Sequence, residues 1–211
     1  MLFGHYKIAY LQERGQPSLD WEQEGATAYY LLCALIVKPQ TVEPLVRIVE
    51  EIRQECGGGE LDFSSFGKDH GKRFRILKRL LAEPFELVYT ALDKKKVGLD
   101  LREHSRTAYP AYLGRRFYHN LKRYYNSLQI VVETQGGTEV IQSLEKEANR
   151  EGLLFSSYSF RRESKASSPL LQLTNFLSGV LALGCGSVVP RNYKAYLNFL
   201  RGKILHRDLL P

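Results

Sequence analysis

The chain has 211 residues, 44% hydrophobic and 25% charged, which fits one soluble globular domain and excludes a disordered or fibrous chain. Its formal charge of +7 and pI near 9.3 favour a polyanionic partner (DNA, RNA or an acidic protein), against the plainer reading of a basic surface kept for solubility. Cys33, Cys56 and Cys185 are odd in number and unpaired in spacing, so a disulfide framework and a zinc site are disfavoured and buried thiols in a reducing, cytoplasmic setting are expected.

No signal peptide is expected, since Met1–Tyr10 has no apolar core. Tyr6–Leu11 predicts a short first strand, and Ala28–Val37 a central strand buried on both faces. A polar, turn-rich segment joins them through Gln16-Pro17-Ser18 and Gly25. Thr41–Cys56 carries Leu45, Ile48, Val49 and Ile52 at helical spacing, and Gly57-Gly58-Gly59 stops it. Glu60–Ser65 reads as a short strand or an extended loop. Lys68–Leu81 reads as a helix with Phe74, Leu77, Leu80 and Leu81 inward, and Phe85–Leu92 as a strand. Asp93-Lys94-Lys95-Lys96 predicts an exposed, solvated turn.

Ala108–Tyr125 predicts a long helix whose apolar stripe is Tyr109, Tyr112, Leu113, Phe117, Leu121 and Tyr124. Leu128–Thr134 is the next strand, a helix follows near Glu139–Arg150, and Leu153–Phe160 reads as the last strand. Ser168–Gly184 predicts a buried helix with Ser168 as N-cap, Pro169 at its first position and Gly184 at its end. Leu170–Val189 is long and apolar, yet Gln172, Thr174, Asn175 and Ser178 interrupt it, so it reads as core rather than a membrane span. Tyr193–Leu205 predicts a final amphipathic helix. The whole reads as a single α/β domain over residues 1–211, a mixed sheet flanked by helices, with a C-terminal helix 191–207 appended.

Tyr10-Leu11-Gln12-Glu13-Arg14-Gly15-Gln16 resembles the N-terminal Tyr-x-Asp-Glu-Ser-Gly-Asp motif of the domain-of-unknown-function family DUF3800, which is ribonuclease-H-like. Glu60-Leu61-Asp62 resembles its Glu-x-Lys element, and Val131-Val132-Glu133 stands where a strand-end aspartate falls. Ser168-Pro169-Leu170-Leu171-Gln172-Leu173-Thr174-Asn175-Phe176-Leu177-Ser178-Gly179 resembles its C-terminal Ser-x-x-x-Gln-x-Ala-Asp-x-x-x-Gly helix. The resemblance implies a sheet whose strand ends and last helix gather acids around one or two divalent metals for phosphodiester hydrolysis. The departures are chemical. Gln12 and Asn175 stand at aspartate positions, Arg14 replaces a serine, Gln16 an acid and Asp62 a lysine. An amide copies a carboxylate's shape without the charge that magnesium or manganese requires. The surviving acids are Glu13, Glu60, Asp62 and Glu133; Glu13, Glu60 and Glu133 are the candidate catalytic residues of a rearranged one-metal site, with Glu13 and Glu133 its candidate metal ligands, and the bland alternative is loop caps and surface ion pairs.

Lys68, Lys72, Arg75 and Arg79 recur at helical spacing, and Arg115, His119, Lys122 and Arg123 form a second basic stripe. Phosphate contact is the functional reading of each, a solvated helix face the plain one. Among the tyrosines, Tyr118 falls beside the second stripe and is the candidate for stacking on a base. The five histidines lack metal-ligand spacing, and no P-loop, dinucleotide loop or serine-hydrolase elbow is present. Three functions stay open. The first is a ribonuclease-H-like protein with a largely lost metal site, acting as a nucleic-acid-binding or assembly subunit; the resemblance suggests a mobile-element or antiphage system. The second is an active magnesium- or manganese-dependent nuclease. The third is a protein-interaction module, including a homodimer, that touches no nucleic acid. No membrane contact is expected.

Overall fold

The computed structural model describes residues 6–16, 27–63, 66, 69–97, 108–134, 139–151, 157–185 and 191–210. Its strands are β1 (Lys7–Arg14), β2 (Tyr29–Val37), β3 (Glu86–Asp93), β4 (Ser127–Glu133), β5 (Ser157–Glu163) and β6 (Ile204–Leu210). Its helices are α1 (Pro39–Glu55), α2 (His70–Leu81), α3 (Ala108–Lys122), α4 (Glu139–Glu151), α5 (Pro169–Leu183) and α6 (Arg191–Leu200). The strands form one mixed sheet in the order β5-β4-β1-β2-β3-β6. β1, β2 and β3 run antiparallel in sequence, β4 and β5 run parallel to β1, and β6 runs parallel to β3.

β2 explains the layering. Its apolar run, Tyr30 to Val37, is buried throughout, so it must be covered on both faces. Leu31, Cys33, Leu35 and Val37 face a core shared with α1, α2, α5 and α6. Tyr30, Leu32, Ala34 and Ile36 face a second core built with α3 and α4. Leu45, Val49 and Ile52 carry α1 onto the first core at helical spacing. Gly57 and Gly58 take positive φ of 95° and 82° just beyond α1, a turn other residues adopt only with strain. α5 is apolar nearly all round and is buried from Leu170 to Leu181 against β1 and β2.

The elements differ from the sequence reading in three places. β1 runs on to Arg14 because its pairing with β2 continues through Arg14↔Leu31. The strand expected at Leu153–Phe160 is Ser157–Glu163, and residues 153–156 lie outside the described residues. Its charged end, Arg161-Arg162-Glu163, is tolerated because β5 is an edge strand. The helix expected across 191–207 ends at Leu200, and residues 204–210 join the sheet beside β3. Of Glu60–Ser65, residues 60–63 form a loop without strand pairing, one of the two expected alternatives, and 64–65 lie outside the described residues.

The turn after β3 also departs from expectation. Asp93 and Lys94 are buried, while Lys95 and Lys96 are exposed. The Lys94 amide donates to Ala28 O at 3.0 Å, which holds that residue against the start of β2. Among the described residues, no helix is long and apolar enough to cross a membrane.

Candidate functional site

Alternation along β1 sorts the residues of its motif. Ile8 and Tyr10 face the core under α5, and Gln12 and Arg14 continue that side. Ala9 and Leu11 face α3 and α4, and Glu13 continues the other side. Gln12 is 6% exposed, sits opposite Cys33, and its Nε2 has no hydrogen-bond partner among the described residues. Glu13 is thereby placed away from Gln12, on the opposite face of the sheet.

Asn175 lies in the middle of α5, on the Gln12 side of the sheet. Its Nδ2 donates to Asp62 Oδ2 at 2.6 Å. One turn later, a Cβ on Gly179 would fall 2.6 Å from Phe63 Cβ and 3.3 Å from Arg14 Cζ. The glycine therefore lets the 60–63 loop and the Arg14 guanidinium close onto α5. A cation beside this cluster and an amide within it both oppose the binding of a second cation.

Glu133 ends β4 and lies level with Glu163 on β5. The β1–β4 register includes Tyr10↔Val131, so Gln12 and Glu133 stand two residues further on along neighbouring strands, on the same face. Glu163 accepts from Ser168 Oγ at 2.6 Å and pairs with Arg161. Ser168 spends its hydroxyl on Glu163 and makes no side-chain cap to α5. Tyr10 reports the packing here: burial, then the Glu163 charge, pushes its phenol up to about 12. Glu60 is exposed and pairs with Lys165 at 3.3 Å, so its carboxylate is engaged by a cation at the surface.

Gln172 is the motif residue whose role the sequence did not show. It is fully buried; its Oε1 accepts from Leu61 N at 3.0 Å, and its Nε2 donates to Lys165 O at 3.0 Å and Ala166 O at 3.2 Å. One side chain thus ties the 60–63 loop and the 165–167 turn to α5. A buried glutamine in an apolar helix is the signal that could have found it.

The donor set does not suit magnesium or manganese. Asp62 is already hydrogen-bonded to an amide, Gln12 and Asn175 are neutral, and Glu163 is held by Ser168 and Arg161. Among the described residues, no three His, Cys, Asp or Glu side chains gather in a group that could hold a metal.

The basic stripes lie on opposite faces of the sheet, one on α2 and one on α3. On α2, Arg75 and Lys78 are exposed, and the Lys72 amine stands 5.5 Å from the Phe66 ring. Arg79 is tied to Glu51 at 2.7 Å and to Glu55 at 2.6 Å. Arg73 turns inward, donating to Phe63 O at 3.0 Å with its guanidinium 3.9 Å from the Phe63 ring. Lys68 lies outside the described residues. On α3, Arg115 reaches Glu147 at 3.6 Å, His119 is exposed, and the Lys122 amine stands 5.9 Å from the Tyr118 ring; Arg123, just beyond the helix, is exposed as well.

Tyr118 itself is fully buried, edge-on to Tyr158 at 5.3 Å, so it is a core residue and not a base-stacking one. Tyr112 and Tyr124 are the exposed members of the expected inward stripe, 52% and 43% accessible, because the helix turns Asn120 and Tyr118 to the core instead. All three cysteines are free; burial pushes the Cys33 thiol up, and burial first also raises Cys185 to about 11, so neither is a ready thiolate.

No family model, curated protein or solved structure matches this chain.

Proposed function

We propose that this chain is a ribonuclease-H-like protein with a largely lost metal site, acting as a nucleic-acid-binding or assembly subunit. The observation that carries this reading is the 2.6 Å hydrogen bond from Asn175 to Asp62. It puts an N–H donor where the family resemblance calls for a metal-binding carboxylate. The neutral Gln12 on the same side of the sheet removes a second charge. The strand arrangement supports the scaffold: an antiparallel β1–β2–β3, then β4 and β5 parallel to β1, with the last core helix packed over β1. The charge of +7 and the exposed Arg75, Lys78, Arg115 and Arg123 support a polyanionic partner, with DNA and RNA both to be probed.

Calorimetric titration of manganese tests the lost site. The unmodified chain is expected to take up no manganese, and Gln12→Asp/Asn175→Asp to bind it. Shift assays with duplex and single strands at two salt concentrations test the partner, with binding expected to weaken steeply at the higher salt. EDTA-sensitive cleavage that Glu133→Gln removes would overturn the reading in favour of a nuclease. The absence of any salt-dependent binding would leave the protein-interaction reading.

A further inference from the structure

The two edges of the sheet are protected differently. β5 shows Ser159, Arg161 and Arg162 to solvent, polar and charged groups that discourage another strand from pairing there. β6 shows Leu205 and Leu209, 37% and 48% exposed, with Arg207 between them. Among the described residues, no strand lies on its far side.

The other face of the same edge carries an aromatic ring among polar groups. The Tyr124 hydroxyl is 3.1 Å from His206 Nδ1, and Tyr112 adjoins Arg116, the partner of Asp208. Three of the six exposed large hydrophobic side chains among the described residues, Leu205, Leu209 and Tyr124, thus lie on or against β6. A lone exposed leucine needs no explanation, but a cluster along an open edge does.

The order of residues in β6 indicates what covers it. Leu205-His206-Arg207-Asp208-Leu209 is self-complementary about its centre. In an antiparallel pair centred on Arg207, Leu205 meets Leu209 of the second copy; a bulge after Ile204 turns that residue to the α1 side of the sheet, away from Leu210 on the α3 side, so the pairing ends at Leu205. His206 meets Asp208, two polar groups on the same face. Such cross-strand pairs are the unit of sheet stability. An isologous contact of this kind closes on itself and leaves no further edge of β6 to extend.

We infer that β6 pairs antiparallel with β6 of a second copy of this chain, joining two sheets across a two-fold axis at Arg207. The two Arg207 side chains meet at the axis, and their exposure lets water and salt screen the repulsion. The axis stands perpendicular to the sheet, so α3 of each copy lies on one side of the joined sheet. Tyr112 and Tyr124 of both copies then flank the junction.

Cross-linking tests the register. Directly opposed residues in an antiparallel pair have Cα atoms about 4.5–5.5 Å apart, inside the disulfide range of about 4.4–6.8 Å. Arg207→Cys is expected to give a covalent dimer on mild oxidation. Leu205→Cys alone is not, because its two copies are offset by roughly 13 Å along the strands. The unmodified chain, oxidised in parallel, controls for Cys56 and Cys185. In sedimentation velocity the unmodified chain is expected to be a dimer, and Leu205→Lys/Leu209→Lys a monomer with an unchanged circular-dichroism spectrum. A monomeric unmodified chain, or cross-linking of Leu205→Cys as fast as of Arg207→Cys, would overturn the inference. Should the double lysine variant fail to fold, the cross-linking pair still decides the question.

Discussion

Asn120 is 1% exposed, and its Nδ2 donates to Thr90 Oγ1 at 3.1 Å and to Asp208 Oδ2 at 2.8 Å. Arg116 Nε adds a bond to the same carboxylate at 2.7 Å. Burial pulls the Asp208 carboxyl upward, but the Arg116 and Asn120 hydrogen bonds outweigh it and hold it below its ordinary value. A depressed carboxyl contributes stability that is complete above its unfolded pKa, about 3.9, and is lost as pH falls through the lower folded value. Asn120→Ala is expected to cost about 1–3 kcal/mol, since it leaves buried polar groups short of a donor. It also moves the acid limb of stability to higher pH. Urea melts from neutral pH down through the carboxyl range read both effects. Asp208→Asn should flatten that limb instead. The same scale shows what the sequence could and could not tell of the site. The motif around Gln12 names Glu13 beside it, but strand alternation sends adjacent residues to opposite faces, so Glu13 stands on the face away from Gln12. The pairing of Asn175 with Asp62 spans more than a hundred positions and has no local signal.

Helix packing explains why Gly114 sits in α3. A Cβ there would fall 2.4 Å from Val140 O and 2.8 Å from Leu144 N, both backbone atoms of α4. Backbone cannot turn aside as a flexible side chain can, so α3 and α4 would have to separate. Gly114→Ala is expected to destabilise the protein by about 1–3 kcal/mol or more, despite the better helix propensity of alanine. Gly202→Ala meets nothing within 4 Å and is the neutral control. Thermal melts of the two variants side by side measure the difference; equal melting would mean the helices are not in close contact. α5 was legible because Ser168, Pro169 and a long apolar run mark it locally. β6 was not. Its residues pair with β3, which is more than a hundred positions earlier, and Leu205 and Leu209 continue the apolar spacing of α6 before Gly202 has visibly ended it. The rest of the strand order likewise depends on pairings that no short window contains, although the α/β alternation itself was plain.

At the scale of the whole molecule, positive charge is spread over both faces, so the two stripes cannot grip one straight duplex together. The Gln12–Asn175 side of the sheet is the side covered by α2, and the proposed function, if the cluster takes part in binding, brings the phosphate backbone to that side. Arg75 and Lys78 are exposed there, whereas Arg79 already serves Glu51 and Glu55. Arg115 and Arg123 stand on the far side, with Arg115 near Glu147. Arg75→Glu/Lys78→Glu is therefore expected to weaken DNA or RNA binding at least tenfold at low salt and to reduce the slope of log affinity against log salt by about two, one for each phosphate no longer neutralised. Arg115→Glu/Arg123→Glu, an equal change in net charge, is expected to weaken it by the general loss of positive charge alone, with the slope nearly kept. Anisotropy titrations of a labelled strand over a salt series separate the two variants. If the α3 pair carries the larger loss, the nucleic acid lies across the other face, and the Gln12–Asn175 cluster has no part in binding it. If both pairs act equally, net charge rather than a defined surface drives the contact.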